Sequence, residues 1–399
     1  MSPKKQHKKP SVIIVGGGFA GTALARKLAD ESTVNITLIS DKSYFEYYPA
    51  FYRVVTGAAP IEVCVPLSDL VPKDVDIVID RAVAVDLAKK EIKGEKGQVY
   101  TADYIVLALG SQTSYFNLPG IPEHSFGFKS IGEATELKDH IKNLFIGKVN
   151  HDASAMVSNF QIVIVGGGPS GVELAGDLTA YMRKLAKKYA VDPSFITIDI
   201  IDRGNRLIGA THPDASEAAL KRLRSLGVNV FLNREVMAED VETILIGDMD
   251  LKTKTVIWTA GTTINALYSK IEGLQMTERR RVLVDDYMEV PNFEDVYIAG
   301  DAAGTKYSGL AQTAMHDAKF VANDILRKLQ KRSRRKYKVK EIEYIIPIGH
   351  NWALMSLGKI HIFGWFAYFA RQTVDFLYFA TILPPKKTFE LFWKGKKYR

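Results

Sequence analysis

Cysteine is almost absent from this chain, because Cys64 is the one cysteine among 399 residues. An internal disulfide, a Cys-x-x-Cys redox pair and a cysteine-rich metal site are therefore excluded, and no metal site is expected. A single cysteine also suits a reducing compartment. Residues 1–10 lack an apolar segment and are polar and basic. No secretory signal is therefore expected, and this stretch is predicted to be a disordered basic tail.

Net positive charge is absent from most of the chain, because the net charge of +8 comes from short basic stretches and the remainder is net acidic. Residues 327–340 hold nine basic and no acidic residues, and residues 386–399 hold six basic residues and one glutamate. Such runs are solvated linkers, or they bind anionic lipid or nucleic acid. Nucleic acid is the weakest of these interpretations because no recognition motif accompanies the charge. No nucleic-acid partner is expected.

The stretch from Ser11 to Asp41 has the pattern of one strand–turn–helix–strand unit. An apolar run at 12–15 leads into Gly16-x-Gly18-x-x-Gly21, and a second apolar run at 36–39 follows the helical segment. In such units the first glycine makes the tight turn, the second lets the backbone approach a pyrophosphate, and the third lets helix and strand pack closely. The helix N-terminus then favours the phosphate charge.

The same unit recurs 150 positions later, with Gly166, Gly168 and Gly171 at the same offsets. Its second strand runs from Ile198 to Asp202. A repeat of this kind indicates an internal duplication with two dinucleotide sites. The most economical pair of ligands is FAD in one unit and a nicotinamide cofactor in the other.

The order of the segments predicts a second domain inserted into the first. The fold class is α/β, with two Rossmann-like dinucleotide-binding domains and a C-terminal extension. The predicted organisation is a tail at 1–10, a FAD domain at 11–118 and 290–330, an NAD domain at 119–289, and a membrane-associated extension at 331–399.

Four landmarks in this order resemble the flavoprotein disulfide-reductase-like superfamily with two dinucleotide-binding domains. They are the two glycine motifs, the strand end Ala108-Leu109-Gly110, and Gly300-Asp301. Within it, the chain is similar to type II NADH dehydrogenases, the single-subunit NADH:quinone oxidoreductases. That resemblance is carried by 166–176, by 256–261, by Ala311-Gln312-Thr313-Ala314 and by the aromatic C-terminal extension. It implies FAD, NADH, a quinone site near the flavin, attachment to one membrane face, and a homodimer.

The resemblance also implies which residues hold FAD in the first unit. The family places an acid at the end of the second strand, where this chain has Ser40, followed by Asp41. Ser40 aligns with Asp202 of the repeat. Asp41 therefore takes the place of the family's acid only if the position of the acid is shifted by one residue. Asp301 is expected to bind the ribityl or phosphate region. The expected FAD contacts are Gly16, Gly18, Phe19, Ala20, Gly21, Ser40, Asp41, Lys42, Ala82, Gly110, Asp301 and Gln312.

Asp202 predicts NADH over NADPH, since a carboxylate at this position binds both ribose hydroxyls and repels a 2′-phosphate. Arg203 and Arg206 lie beside it in sequence and leave two alternatives open, NADPH tolerance or ordinary surface charge. The expected NADH contacts are Gly166, Gly168, Pro169, Gly171, Glu173, Asp202, Ala260 and Gly261.

Three residues are the candidates for catalysis: Glu173, Gln312 and His316. Reoxidation by a quinone requires protons, which a carboxyl group of raised pKa and an imidazole both exchange near neutrality. Ala311, Gln312 and His316 are the expected quinone contacts. The family has a second glutamine where this chain has His316, so the type of quinone stays open. The alternatives to these catalytic roles are that Glu173 is an acid favoured at a helix start and that His316 is an exposed helix histidine.

The aromatic segment at 363–383 is long enough to span a bilayer. Arg371 and Asp375 lie at its middle, however, and each costs about 2.5–3.5 kcal/mol at the centre of a spanning helix. A helix in the membrane interface is therefore predicted, followed by a basic and aromatic tail that suits anionic headgroups. The alternative is a core or dimer-interface helix. The protein is expected to be peripheral, on the cytoplasmic face of the cell membrane.

Three other functions fit parts of this pattern. A sulfide:quinone oxidoreductase works through cysteines, which argues against it here. A ferredoxin or rubredoxin reductase would not need the aromatic segment. A sensor resembling the apoptosis-inducing factors would bind NADH to change its shape or partners rather than turn over.

Overall fold

The computed structural model describes residues 9–147, 158–358 and 360–396. Most of the predicted basic tail at 1–10, and residues 397–399 of the C-terminal basic stretch, lie outside the described residues. The described chain has alternating strands and helices in the two segments that carry the glycine motifs, as the repeat predicts.

Twenty-three strands are described. In chain order they are β1 (Ser11–Val15), β2 (Asn35–Ser40), β3 (Tyr44–Glu46), β4 (Cys64–Pro66), β5 (Val75–Ile79), β6 (Ala82–Asp86), β7 (Glu91–Gly94), β8 (Val99–Thr101), β9 (Tyr104–Leu107), β10 (Ser111–Thr113), β11 (Gln161–Val165), β12 (Thr197–Ile201), β13 (Asn229–Phe231), β14 (Val236–Glu239), β15 (Thr243–Ile246), β16 (Met249–Lys252), β17 (Thr255–Trp258), β18 (Thr262–Ile264), β19 (Glu289–Val290), β20 (Phe293–Ile298), β21 (Tyr344–Pro347), β22 (Ala353–Leu357) and β23 (Ile360–Gly364).

The α-helices with described bounds are α1 (Phe19–Ala29), α2 (Phe51–Val55), α3 (Leu67–Leu70), α4 (Ile121–His124), α5 (Ile131–Ile146), α6 (Pro169–Tyr189), α7 (Pro213–Leu226), α8 (Ala311–Leu329), α9 (Trp365–Ile382) and α10 (Pro385–Lys396). Short 3₁₀ helices lie at Tyr48–Ala50, Pro60–Glu62, Pro193–Phe195 and Ala266–Lys270. None of the helices in the described part of the chain is both long and apolar enough to cross a membrane.

The chain divides into two compact units. Unit 1 comprises Met1–Phe45, Val65–Gln112 and Thr262–Ile342, and unit 2 comprises Glu46–Cys64, Thr113–Gly261 and Glu343–Arg399. This grouping differs from the predicted boundaries. Residues 262–289 and 331–342 fall in unit 1, and residues 46–64, 113–118 and 343–399 fall in unit 2.

Unit 1 is built on a six-stranded sheet in the order β19-β20-β9-β1-β2-β5. The central strand β1 is parallel to β2 and β9, with Val15 opposite both Ile39 and Leu107. All three strands therefore end at one edge of the sheet, where the first glycine turn lies. The apolar run at 12–15 is fully buried, as a strand covered on both faces must be. Helices α1 and α8 pack together.

Part of the basic run at 327–340 is bound to buried acids of unit 1. Lys328 and Arg334 both form ion pairs with Glu289, at 3.1 and 2.7 Å. Arg334 Nε also donates to Asp324 Oδ1 at 3.0 Å. These two cations therefore hold the segment after α8 in place, and they are not part of a solvated linker.

Unit 2 repeats the arrangement with a four-stranded parallel sheet in the order β13-β12-β11-β17. Val165 lies opposite Ile201 and Trp258, which matches the register around Val15 in unit 1. The antiparallel strands β14, β15 and β16 form a second, smaller sheet. Helix α2, from the segment at 46–64, packs against α5 and α6.

The C-terminal segment of unit 2 is an antiparallel sheet, β21-β22-β23, followed by α9 and α10. The predicted helix at 363–383 begins at Trp365, because residues 360–364 form β23. Gly364 has φ +105°, a backbone conformation that favours glycine, and it marks the change from strand to helix. Helix α9 packs on this sheet. The turn after β21 lies close against α6, where a Cβ on Gly176 would be 2.5 Å from Gly349 N.

Replacing Gly176 by alanine is expected to destabilise unit 2 by about 1–3 kcal/mol, because the added methyl meets backbone that must move. Thermal unfolding by circular dichroism measures the loss. Gly132→Ala is the matched control, since Gly132 lies near the start of α5 and a Cβ there would be 3.7 Å from the Ser130 hydroxyl. Equal unfolding temperatures for the two variants would contradict the close packing of the C-terminal sheet on α6.

Candidate functional sites

The first glycine turn has the geometry of a phosphate cradle. Gly16 has φ +120°, and a Cβ there would be 2.2 Å from the Ala108 carbonyl oxygen. A Cβ on Gly21 would be 1.8 Å from the Gly16 carbonyl oxygen. A Cβ on Gly18, in contrast, would meet nothing within 4 Å. Gly18 therefore borders open space at the N-terminus of α1, a position that favours an anion in helices generally.

The residues around Gly18 follow the predicted FAD set. Phe19, Ala20 and Gly21 form the buried first turn of α1. Ser40 ends β2, is buried, and its hydroxyl accepts a hydrogen bond from Lys42 N at 3.3 Å. Asp41 is exposed beside it, and Ala82 is half-buried at the start of β6.

The pairing of strands supports the alignment of Ser40 with Asp202. Gly16 N donates to Ile39 O at 2.8 Å, and Gly166 N donates to Ile201 O at 2.8 Å. Ser40 and Asp202 each follow these carbonyls directly. A neutral hydroxyl therefore occupies the place in unit 1 that a carboxylate occupies in unit 2. The predicted shift to Asp41 stays a prediction.

Two further residues of the predicted FAD set, Gly110 and Asp301, lie at the strand ends of unit 1. Gly110 follows β9 with φ +68° and borders open space. The Ser111 hydroxyl donates to the Asp301 carboxylate. Leu109 N donates to the Tyr268 hydroxyl at 3.3 Å. Asp301 therefore lies at the same edge of the sheet as the glycine turn.

Sequence reasoning missed Asp317, which supports the Gly300-Asp301 turn from α8. It is fully buried, and it accepts hydrogen bonds from Gly300 N at 3.1 Å and from the Tyr337 hydroxyl at 2.7 Å. Burial raises the pKa of Asp317 to about 7. The sequence pattern that could have revealed Asp317 is an acid on the same face of α8 as the small apolar residues Ala314 and Ala318.

Gln312 and His316 line one pocket at the start of α8, together with Tyr307, Tyr337 and Glu341. Gln312 is exposed and Ala311 is half-buried. His316 Nε2 lies 2.9 Å from the Lys338 carbonyl oxygen. A carbonyl only accepts, so Nε2 carries the proton in this contact. The structure thus brings together two of the three predicted catalytic residues, and His316 is not a fully exposed helix histidine.

The second glycine turn, in unit 2, has the same construction. Gly166 has φ +114°, and a Cβ there would be 2.8 Å from Ala260 Cα. A Cβ on Gly171 would be 2.0 Å from the Gly166 carbonyl oxygen, whereas one on Gly168 would meet nothing within 4 Å. Pro169 occupies the first turn of α6, where the missing N–H costs nothing. Ser114 N donates to the Gly261 carbonyl oxygen at 3.1 Å.

Asp202 lies against this second turn. Its two carboxylate oxygens accept hydrogen bonds from Gly167 N and Gly204 N, both at 2.6 Å. Arg206 donates to Thr211 O at 2.9 Å and to the Ser216 hydroxyl at 3.2 Å, so its guanidinium already has partners. The Arg203 guanidinium lies 5.8 Å from the Phe116 ring centroid and is exposed.

Glu173 lies just after the first turn of α6, within unit 2, and is buried. Its Oε1 lies 3.6 Å from Arg371 Nη1. Burial raises the pKa of Glu173 to about 8, although Arg371 and Arg53 oppose the shift. A carboxyl group with this pKa exchanges a proton near neutrality.

Arg371 and Asp375 place the charged stripe of α9 inside unit 2. Both are buried, and Arg371 Nε donates to Asp375 Oδ1 at 3.0 Å. Arg53 of α2 and Tyr47 complete the cluster on Asp375. Sequence reasoning identified the polar pair on α9 but not its partners. The sequence signal for these partners was the aromatic segment at 44–52, because it combines the aromatic residues of a buried segment with polar groups.

The opposite face of α9 is aromatic and exposed. Trp365 is 64% exposed, and Phe366 and Phe369 are each 58% exposed. Phe389, on α10, is 59% exposed. Monomeric soluble proteins rarely leave a continuous apolar surface of this kind uncovered. Within the described residues, no cluster of histidine, cysteine and acidic side chains could hold a metal ion.

Comparison with known proteins agrees with this geometry. The type II NADH:quinone oxidoreductase NdhA of Mycobacterium tuberculosis is 27% identical over 391 residues, covering 92% of this chain and 83% of that protein. A type II NADH:quinone oxidoreductase of Staphylococcus epidermidis is 25% identical over 385 residues, covering 92% of this chain and 94% of that protein. The resemblance indicated by the motifs is therefore confirmed.

Solved structures share the fold at lower identity. NDH2 of Plasmodium falciparum in complex with NADH has a TM-score of 0.88 at 18% identity, covering 98% of each chain. The sulfide:quinone oxidoreductase of Aquifex aeolicus has a TM-score of 0.78 at 18% identity, covering 96% of each chain. The predicted α/β fold class is confirmed.

The family comparison matches residues 10–318, which include both glycine turns, Asp202 and Asp301. Since the match covers most of the chain, this protein belongs to the pyridine nucleotide-disulphide oxidoreductase family.

Proposed function

We propose that this protein is a FAD-dependent NADH:quinone oxidoreductase that works at a membrane surface without pumping protons. The observation that carries this proposal is the pair of matching glycine turns, with Gly18 and Gly168 each bordering open space at a helix N-terminus. Two such cradles suit two pyrophosphates. The names of the relatives, similar over most of their length, supply NADH as donor and quinone as acceptor.

The residues present fit the two dinucleotides. Unit 1 offers Gly18 and the first turn of α1 to the FAD pyrophosphate, with Ser40 or Asp41 near the adenosine ribose and Asp301 at the strand edge. Unit 2 offers Gly168 to the NADH pyrophosphate and Asp202 to the adenosine ribose. The chemistry that bound FAD supplies is two-electron transfer between NADH and the quinone.

Protein groups handle the protons of this reaction. A hydride carries two electrons and one proton from NADH, and quinol formation takes one further proton from solvent. Glu173 in unit 2 and His316 in unit 1 are the proposed exchange groups. Glu173 is mostly protonated below its pKa of about 8 and loses its proton above it. Gln312 is proposed to contact the quinone, with Ala311 beside it.

Attachment to an anionic membrane surface is the proposed role of the exposed face of α9 and α10. Trp365, Phe366 and Phe369 suit the interface between headgroups and acyl chains, and the exposed Lys386 and Lys387 suit anionic headgroups. A peripheral protein on the cytoplasmic face, acting as a homodimer, stays the prediction. A sulfide:quinone oxidoreductase is disfavoured because a single cysteine cannot form a redox pair.

Gly18→Val is expected to fold but to lose FAD, because the side chain fills open space that the pyrophosphate needs. Gly21→Val is the contrasting control and is expected to lose stability, since its Cβ would collide with the Gly16 carbonyl oxygen. Flavin absorbance per protein and thermal unfolding separate the two effects. A Gly18→Val protein that keeps its full yellow colour would refute the assignment of FAD to unit 1.

Asp202→Asn is expected to lower the preference for NADH over NADPH. Asparagine keeps an oxygen for the backbone N–H groups but removes the charge that repels a 2′-phosphate. We expect the ratio of the two kcat/KM values to fall about tenfold, which corresponds to ~1.4 kcal/mol. Glu217→Gln, which removes an exposed charge of α7, is the control. An unchanged ratio, or a wild-type preference for NADPH, would assign cofactor choice to Arg203 instead.

The double variant Phe366→Ser/Phe369→Ser is expected to stop sedimenting with anionic vesicles. It should also lose activity with a long-chain quinone in liposomes while keeping activity with a short soluble quinone, because the dinucleotide cradles are untouched. Val241→Ser, at a position 70% exposed elsewhere in unit 2, is the control for lost apolar surface. If the double variant sediments and reduces liposomal quinone like the wild type, this face does not bind the membrane.

A further inference from the structure

The buried face of α9 carries two opposite charges, Arg371 and Asp375. Arg371 is 8% exposed and Asp375 is 1% exposed. They lie one helical turn apart and are bonded to each other. Because buried charge is unfavourable unless it is fully paired, each hydrogen bond in this cluster has a strong effect on its neighbours.

The three nitrogens of Arg371 donate hydrogen bonds to groups other than Glu173. Nε donates to Asp375 Oδ1 at 3.0 Å, Nη1 donates to Ile345 O at 2.8 Å, and Nη2 donates to Pro49 O at 2.7 Å. The 3.6 Å between Arg371 Nη1 and Glu173 Oε1 is too long for a hydrogen bond. Glu173 therefore feels the charge of Arg371 without a direct bond from it.

The second arginine of the cluster is held in the same way. Arg53 Nη2 donates to Asp375 Oδ2 at 2.6 Å, and Arg53 Nε donates to the Tyr52 hydroxyl at 3.2 Å. The Tyr47 hydroxyl donates to Asp375 Oδ1 at 2.7 Å. One carboxylate thus accepts hydrogen bonds from two guanidinium groups and a phenol.

We propose that Asp375 is a positioning residue that holds Arg371 and Arg53 away from Glu173, so that Glu173 keeps its proton until the reaction takes it. The inference rests on the proposed function in one respect only, which is that Glu173 exchanges protons during quinone reduction. The charge competition itself is a property of unit 2 and does not depend on the acceptor.

The charges around Glu173 agree with this role. Arg53 and Tyr52 face it from α2, Arg371 and Asp375 from α9, and Asp177 from its own helix. Burial raises the pKa of Glu173 more than the two arginines lower it. Although burial opposes ionisation of Asp375, Arg371 and Arg53 hold its pKa below the usual value. Asp375 is therefore the anion of the cluster, and Glu173 is the group that stays neutral.

Two substitutions should move the titration of Glu173 in opposite directions. Asp375→Asn removes the anion that two guanidinium groups share, so the midpoint of Glu173 should fall by about one pH unit or more. Arg371→Gln removes a cation, so the midpoint should rise. A purely structural role for the cluster would shift both variants in the same direction or in neither.

The test is infrared titration of the holoenzyme against pH, following the carbonyl band of a protonated buried carboxyl group. Disappearance of the band in Glu173→Gln assigns it, and Glu217→Gln, an exposed acid of the same unit, is the control. Opposite shifts support the proposal. A midpoint in Asp375→Asn equal to the wild type, or shifts of the same sign, overturns it. If Asp375→Asn does not fold, Arg371→Gln decides alone, with a rise supporting the proposal and no rise overturning it.

The pH profile of kcat with a soluble quinone separates this inference from the proposed function. The wild type should lose activity as pH rises through the pKa of Glu173, and the variants should lose it at the shifted midpoints. If the infrared midpoints shift while kcat does not follow them, the charge competition stands. The role of Glu173 in quinone protonation would then be wrong.

Discussion

The close approach of backbone to backbone at two glycine turns is the constraint on which both proposed cofactor sites depend. Gly21 and Gly171 leave no room for a side chain against the carbonyls of Gly16 and Gly166. This contact fixes the start of each helix against the end of its strand. The helix N-terminus then meets the open space beside Gly18 or Gly168, where its N–H groups and dipole favour phosphate.

A second constraint shapes the C-terminal part of unit 2. Helix α9 has a charged stripe and an aromatic face on opposite sides, so only one of the two can be buried inside the unit. Arg53, Tyr47 and two backbone carbonyls pair the charged stripe, so the aromatic face is left at the surface. A soluble helix normally shows the reverse arrangement, with its apolar face inside. The inverted arrangement is what makes a lipid surface the proposed neighbour of this face, and it also brings Arg371 close to Glu173.

Much of the fold was predictable because its signals are local. The glycine spacing, the buried runs at 12–15 and 162–165, and helix α8 follow from neighbouring residues in the chain. The alignment of Ser40 with Asp202 was also predictable, since each follows the second strand of its unit. The cluster on Asp375 was not, because Arg53 lies 322 positions away and no local pattern pairs them. Asp317 was missed for a similar reason, since its partners Gly300 and Tyr337 come from separate segments.

In the proposed reaction, electrons pass from NADH to a quinone through a flavin held by this chain. Anaerobic titration of the yellow protein with NADH, followed by addition of a quinone, tests donor, cofactor and acceptor together. We expect the flavin absorbance to bleach with about one equivalent of NADH and to recover fully when quinone is added, because a flavin takes up two electrons from one hydride. A flavin that NADH does not bleach, or a bleached flavin that quinone does not reoxidise, would show that this electron route is wrong.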